Sequence, residues 1–159
     1  MLQSRSKIKR TANTSWRIGI VHSAYHKEEM DRLVRGAADA LREAGIPEEN
    51  ISLHGAPGSF EVPLIGAALA ESRSVDGLIG LGIIIEGETH HARLLAEQSA
   101  RGMMDVQLRY RIPFAFEILY VDSLALARAR VEKGREAAVA VLHVLSVLKR
   151  VSLPEGPHP

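Results

Sequence analysis

The chain has 159 residues, the size of one domain, and its 46% hydrophobic and 25% charged content is that of an ordinary globular fold. A formal net charge of +1 carries no signature of nucleic-acid or membrane-surface binding, and no apolar stretch approaches the roughly 18 residues that span a bilayer. The absence of cysteine excludes disulfides, thiolate metal sites and cysteine nucleophiles, and suits a reducing, cytoplasmic setting.

Residues 1–15, "MLQSRSKIKRTANTS", are basic but lack the apolar centre of a secretory signal. They read as an arm, solvated or pairing with a neighbour's sheet, with a transit peptide as the alternative. "WRIGIVHSAY", Trp16 to Tyr25, contains an apolar run of strand length. From Lys27 to Ala44 the spacing changes: Met30, Leu33, Val34, Ala37, Ala38 and Leu41 recur at threes and fours, which predicts an amphipathic helix stopped at Gly45. Ile51 to Gly58 reads as a strand running into a turn, and Val62, Ile65 and Leu69 mark a second helix. "DGLIGLGIII", Asp76 to Ile85, is apolar throughout, as in a strand buried on both sides. A third helix follows over His91 to Arg109, a fourth strand over Ile112 to Val121, and one last helix over Ala125 to Arg150. This places a single domain over residues 16–151, with a frayed Pro/Gly-rich tail over 152–159.

Strand and helix alternate four times, which predicts a three-layer α/β/α sandwich: a four-stranded parallel sheet flanked by helices on both faces. Right-handed crossovers set the strand ends along one rim, where open sheets of this kind bind ligands. The segments on that rim are Ala24 to His26, Gly55 to Glu61, Glu86 to His91 and Glu117 to Ser123.

"EGETHH", Glu86 to His91, is the richest of them. Gly87 permits a tight turn, Thr89 is a candidate helix cap, and free amides at the positive end of a helix dipole form an anion site. His91 is placed to move a proton near neutral pH. His90 and His91 do not make a metal site, because adjacent helical residues point about 100° apart. In "GAPGSFEVP", Pro57 and Gly58 shape a turn, Ser59 is a candidate cap and Phe60 an aromatic at a helix start, where it either stacks on a flat ligand or packs on the core. Tyr25, with His26 beside it, and Phe116 bring two more rings to the rim. A dinucleotide loop and a P-loop are both absent from the sequence.

Two of these motifs, in this order and spacing, resemble the 6,7-dimethyl-8-ribityllumazine synthase family. "PGSFEVP" (Pro57 to Pro63) is similar to its Pro-Gly-Ala/Ser-aromatic-Glu-aliphatic-Pro, and "GETHH" (Gly87 to His91) matches its Gly-x-Thr-x-His. The likeness runs from Trp16 to Arg150 in the same element order. It implies a flavodoxin-like strand order and a cofactor-free transferase of riboflavin biosynthesis. That enzyme condenses 5-amino-6-(D-ribitylamino)uracil with 3,4-dihydroxy-2-butanone 4-phosphate, giving 6,7-dimethyl-8-ribityllumazine, phosphate and water.

The resemblance implies that His91 is catalytic and that Gly87, Glu88 and Thr89 hold the phosphate. Tyr25 would stack on the pyrimidine with His26 beside it. Ser59, Phe60 and Glu61 would bind the pyrimidine and its ribityl chain, with Ile84 and Ile85 lining the ring pocket. Phe116 would come from a neighbouring subunit, because family sites lie between protomers of a homopentamer that stands alone, pairs as a decamer or builds an icosahedral shell. Riboflavin synthase is a further partner the resemblance raises; nucleic acid and membrane are not.

Departures from the family pattern stand beside the likeness. Glu86 occupies a position usually Arg or Lys, Ala92 and Arg93 replace an aromatic and an acidic residue, and Glu117 stands where Gly is frequent. The family's Arg-Ala-Gly-x-Lys-x-Gly-Asn-Lys-Gly segment is cut to "RARVEKG", Arg128 to Gly134. Arg128 is the first candidate for the phosphate arginine carried by that segment, with Arg130 and Lys133 as alternatives. The departures keep open a second reading: a catalytically weak paralogue that binds lumazine or flavin or forms a protein shell. An unrelated flavodoxin-like regulator is a third.

Overall fold

Gly77–Ile85 (β3) contains only glycine, leucine and isoleucine, and all of it but Ile85 is buried. A strand without a polar side must be covered on both faces. In the computed structural model, which describes residues 13–152, β3 lies between β1 (Ile18–Ser23) and β4 (Phe114–Val121), and β2 (Ile51–Ala56) flanks β1. All pairings are parallel and the order is β2-β1-β3-β4, as expected.

Helices α1 (Lys27–Glu43) and α5 (Lys133–Ser152) cover one face of the sheet, and α2 (Val62–Glu71) and α3 (His91–Tyr110) the other. Alternation along the strands feeds both layers. Ile18, Ile20 and Leu81 join Leu33 and Val141 in one core, while Val21 and Leu78 join Val62, Met103 and Phe114 in the second. Each such side chain contributes about 1.5–3 kcal/mol when fully buried, set against the entropy of ordering the chain.

The α1 stop falls where the sequence put it. Gly45 has φ 101°, a left-handed conformation suited to glycine, and the Gly45 and Ile46 amides satisfy the last carbonyls of the helix.

The single final helix expected over Ala125 to Arg150 is instead two. A short α4 (Leu124–Arg128) is capped by Ser123, whose Oγ accepts from the Leu126 N–H at 3.2 Å, and residues 129–132 turn before α5. The cause lies at Gly134. A Cβ there would sit 2.1 Å from the Leu33 carbonyl oxygen, so α5 enters directly against the backbone of α1 and needs its own approach. The chain supplies it with successive i to i−3 bonds, Arg130 N–H to Ala127 O and Lys133 N–H to Arg130 O.

The expectations for the arm and the tail fall largely on residues outside 13–152. At the start of the described span, Ser15 donates from N and Oγ to Asn13 Oδ1, and Asn50 Nδ2 donates to the Thr14 carbonyl, which fixes the chain beside the base of β2. Among the described residues no helix is long and apolar enough to cross a membrane.

Candidate active site

The carboxyl ends of β1, β2 and β3 open into a cavity of about 530 Å³. Two turns, one strand end and one helix start build it. After β1 the chain reverses through His26, whose φ of 55° is left-handed, and this sharp entry to α1 sets Tyr25 and His26 on the cavity wall. The turn after β2 contributes Pro57 to Glu61, the end of β3 contributes Ile83 to Ile85, and α3 contributes His91, Ala92 and Leu95. Eight residues singled out in the sequence therefore meet on one surface: Tyr25, His26, Ser59, Phe60, Glu61, Ile84, Ile85 and His91.

Local packing explains how they are held. A Cβ at Gly58 would lie 3.3 Å from Glu61 Oε2 and 3.4 Å from the Tyr25 ring, so a carboxylate and an aromatic ring converge over this glycine. Ser59 is buried, its Oγ against Gly82 and its carbonyl accepting from Ser99 Oγ at 3.2 Å. Tyr25 and Phe60 are 64% and 57% exposed, which leaves two ring faces uncovered at the mouth.

Two capping expectations are corrected. Ser59 does not cap α2: a 3₁₀ turn, Ser59–Glu61, intervenes, the N-cap is Glu61 without a side-chain bond, and Pro63 removes one of the amides a cap would serve. Thr89 stands one residue before the N-cap of α3, which is His90, and its Oγ1 accepts from the His91 N–H only at 3.5 Å. Sequence reasoning also missed Ile83 and Leu95 as lining residues. Leu95 was accessible to it, since it stands one helical turn beyond His91 on the same face.

Not every expected residue lines the cavity. Gly87, Glu88 and Thr89 form the exposed turn leading to His91, and a Cβ at Gly87 would meet nothing within 4 Å among the described residues. Phe116 is 42% exposed on β4, an edge strand. Arg128, at the end of α4, donates from Nε to Glu29 Oε1 at 2.7 Å.

A family model for 6,7-dimethyl-8-ribityllumazine synthase matches residues 15–149. Proteins named 6,7-dimethyl-8-ribityllumazine synthase from Methylobacillus flagellatus and Levilactobacillus brevis are each 40% identical to this chain. The alignments cover 85% and 86% of it and 91% and 90% of theirs. A relative of the same name from Albidiferax ferrireducens is 39% identical over 136 residues, 85% of this chain and 87% of its own. The chain belongs to the 6,7-dimethyl-8-ribityllumazine synthase family.

Within this lumazine synthase family member, the shortened segment after β4 distributes its cations unequally. Glu29 is 3% exposed, and the Arg128 hydrogen bond holds its carboxyl below the usual range; the pair fastens α4 to the first turn of α1. Lys133 is bound to Glu136 at 2.6 Å. Among the described residues Arg130 has no carboxylate partner, and it gives Nη1 to the Leu126 carbonyl at 3.1 Å. The other departures are equally concrete. Ala92 leaves the cavity wall small, Arg93 is taken up by Glu97 at 2.7 Å, and burial pushes the Glu117 carboxyl up.

Proposed function

We infer that the chain catalyses the cofactor-free condensation of 5-amino-6-(D-ribitylamino)uracil with 3,4-dihydroxy-2-butanone 4-phosphate to 6,7-dimethyl-8-ribityllumazine, releasing phosphate and water. The observation that carries this is the meeting of the two motif segments on one cavity, with His91 at its edge, in a chain matched along almost its whole length by the family model.

The uncovered rings of Tyr25 and Phe60 suit a flat pyrimidine, and the Glu61 carboxylate is an acceptor for ribityl hydroxyls. The Gly87–Thr89 turn, with its amides at the head of α3, takes the phosphate. The 5-amine attacks the ketone carbon and water leaves as the imine forms. Loss of a proton from the adjacent carbon expels phosphate, with His91 moving the proton. The enol that remains takes up a proton at its terminal carbon to give a methyl ketone, and the ribityl-bearing nitrogen closes the ring on that carbonyl with loss of a second water. Holding the two reactants together is worth up to about 7–11 kcal/mol, and a placed histidine adds about 10²–10⁴-fold.

Arg130 serves the phosphate in place of Arg128. A guanidinium already neutralised by a buried carboxylate offers a dianion little net charge, whereas Arg130 surrenders only a backbone carbonyl. A homopentamer supplies the missing wall. Its support is the open mouth, Phe116 on an edge strand, and exposed Leu64, Leu94, Met104 and Leu108 on α2 and α3. The cysteine-free sequence supports a cytoplasmic setting.

The test is incubation of the purified protein with both substrates, following lumazine absorbance and phosphate release together. Equimolar product and phosphate, slowed about 10²–10⁴-fold by His91→Ala with the oligomer intact, is expected. Flavin or lumazine binding without turnover contradicts the reading.

A further inference from the structure

We propose that Glu86 is an internal anion at the phosphate turn, its carboxylate occupying the Gly87 amide and limiting how tightly this chain holds its phosphorylated substrate. The proposal rests on the functional reading above and deepens it.

The Gly87 N–H, the first amide of the turn, is not free: it donates to Glu86 Oε1 at 3.2 Å. The backbone of Glu86 is fixed, because its own N–H donates to the Val121 carbonyl at 2.9 Å and so extends the β3–β4 pairing by one bond. The carboxylate can leave the amide only by rotating its side chain, and it cannot leave the neighbourhood. Among the described residues a Cβ at Gly87 would meet nothing within 4 Å, and the turn is exposed.

The nearest side-chain charges compensate it only in part. Glu88 lies in the same turn. Arg93, on the first turn of α3, feels Glu86 but gives its Nε to Glu97 at 2.7 Å. A phosphate dianion arriving at these amides must displace one carboxylate and then sit beside it. At about 6 Å and water-like screening, a dianion and a carboxylate repel enough to cost on the order of tenfold in affinity, less as salt rises.

The test compares wild type with Glu86→Gln, which keeps an oxygen for the Gly87 N–H and removes the charge. KM for 3,4-dihydroxy-2-butanone 4-phosphate should fall roughly five- to tenfold, and KM for the pyrimidine should not move. The inhibition constant of orthophosphate should fall by a similar factor, and sodium chloride should narrow both differences. An unchanged KM for the phosphorylated ketone, or equal shifts for both substrates, overturns the proposal. A raised KM also overturns it, because the carboxylate would then be shaping the turn for phosphate. Wild-type protein without turnover contradicts the functional reading instead. Wild-type turnover beside an unimproved Glu86→Gln variant contradicts only the role given to Glu86.

Discussion

Replacing Gly82 by alanine sets a methyl carbon 2.4 Å from Ser59 Oγ and 3.1 Å from Ile118 Cγ2, in the floor beneath the cavity. Ordinary contacts between such atoms lie near 3.5 Å, so the hydroxyl must retreat by about 1 Å. Ser59 is 7% exposed, and its carbonyl is tied to Ser99, so it either rotates into the cavity or drags the 3₁₀ turn that carries Phe60 and Glu61. Overpacking of this kind costs about 1–3 kcal/mol. At about 2 kcal/mol the melting temperature of a chain this size falls by roughly 4–8 °C. The functional effect should be the larger one, since about 1 Å of misplacement can cost on the order of 10²-fold in rate. Melting curves and steady-state kinetics with the pyrimidine varied measure both. Adding Ser59→Ala to Gly82→Ala removes the atom struck, so the double variant should recover most of the lost stability, a strongly non-additive cycle. A Gly82→Ala protein with wild-type melting and wild-type KM, or a double variant no better than the single, would refute the packing argument.

Further expectations concern the charges and the helix contact. Burial raises the Glu117 carboxyl, with Lys133 offsetting part of the effect, so ionised Glu117 weakens the fold at neutral pH. Glu117→Gln should therefore raise the melting temperature at pH 7, with the gain vanishing below the ordinary value of 4.5. Glu29 has the opposite sign. Its lowered carboxyl contributes stability above the ordinary value of 4.5, so the deficit of Arg128→Ala should be open at pH 7 and close in acid melts. Arg130→Ala should raise KM for the phosphorylated ketone more than Arg128→Ala does; the reverse order returns the phosphate to Arg128. Gly134→Ala, with its Cβ 2.1 Å from the Leu33 carbonyl oxygen, should cost about 3 kcal/mol or more in urea unfolding.

The strands and helices were legible because their signals are local and periodic, whereas the strand order came from the family likeness. The run Gly77–Ile85 has no polar side, and the threes and fours from Met30 to Leu41 leave little choice but α1. The gathering of Tyr25, Ser59, Phe60 and His91 followed from topology, since a parallel sheet brings strand ends together whatever their distance in sequence. What escaped was set by tertiary contact. Nothing near Gly134 in the sequence announces the Leu33 carbonyl that divides the last helix, and Glu29 reads as a solvated charge until its partner, 99 residues away, is seen. The caps assigned to Ser59 and Thr89 failed by one or two residues for a related reason. A short turn ahead of each helix shifts the hydroxyl off the N-cap position, leaving Ser59 no bond to α2 and Thr89 only a long one to His91, and composition does not record that offset.

The structure of the assembled protein crystallised with 6,7-dimethyl-8-ribityllumazine and orthophosphate tests the central claim most directly. The account predicts the ring system between Tyr25 or Phe60 and a neighbouring chain, the ribityl group along Pro57 to Glu61, and orthophosphate on the Gly87 to Thr89 amides within reach of His91. Product seated away from this cavity, or a cavity filled by side chains of the assembled neighbour, would contradict it.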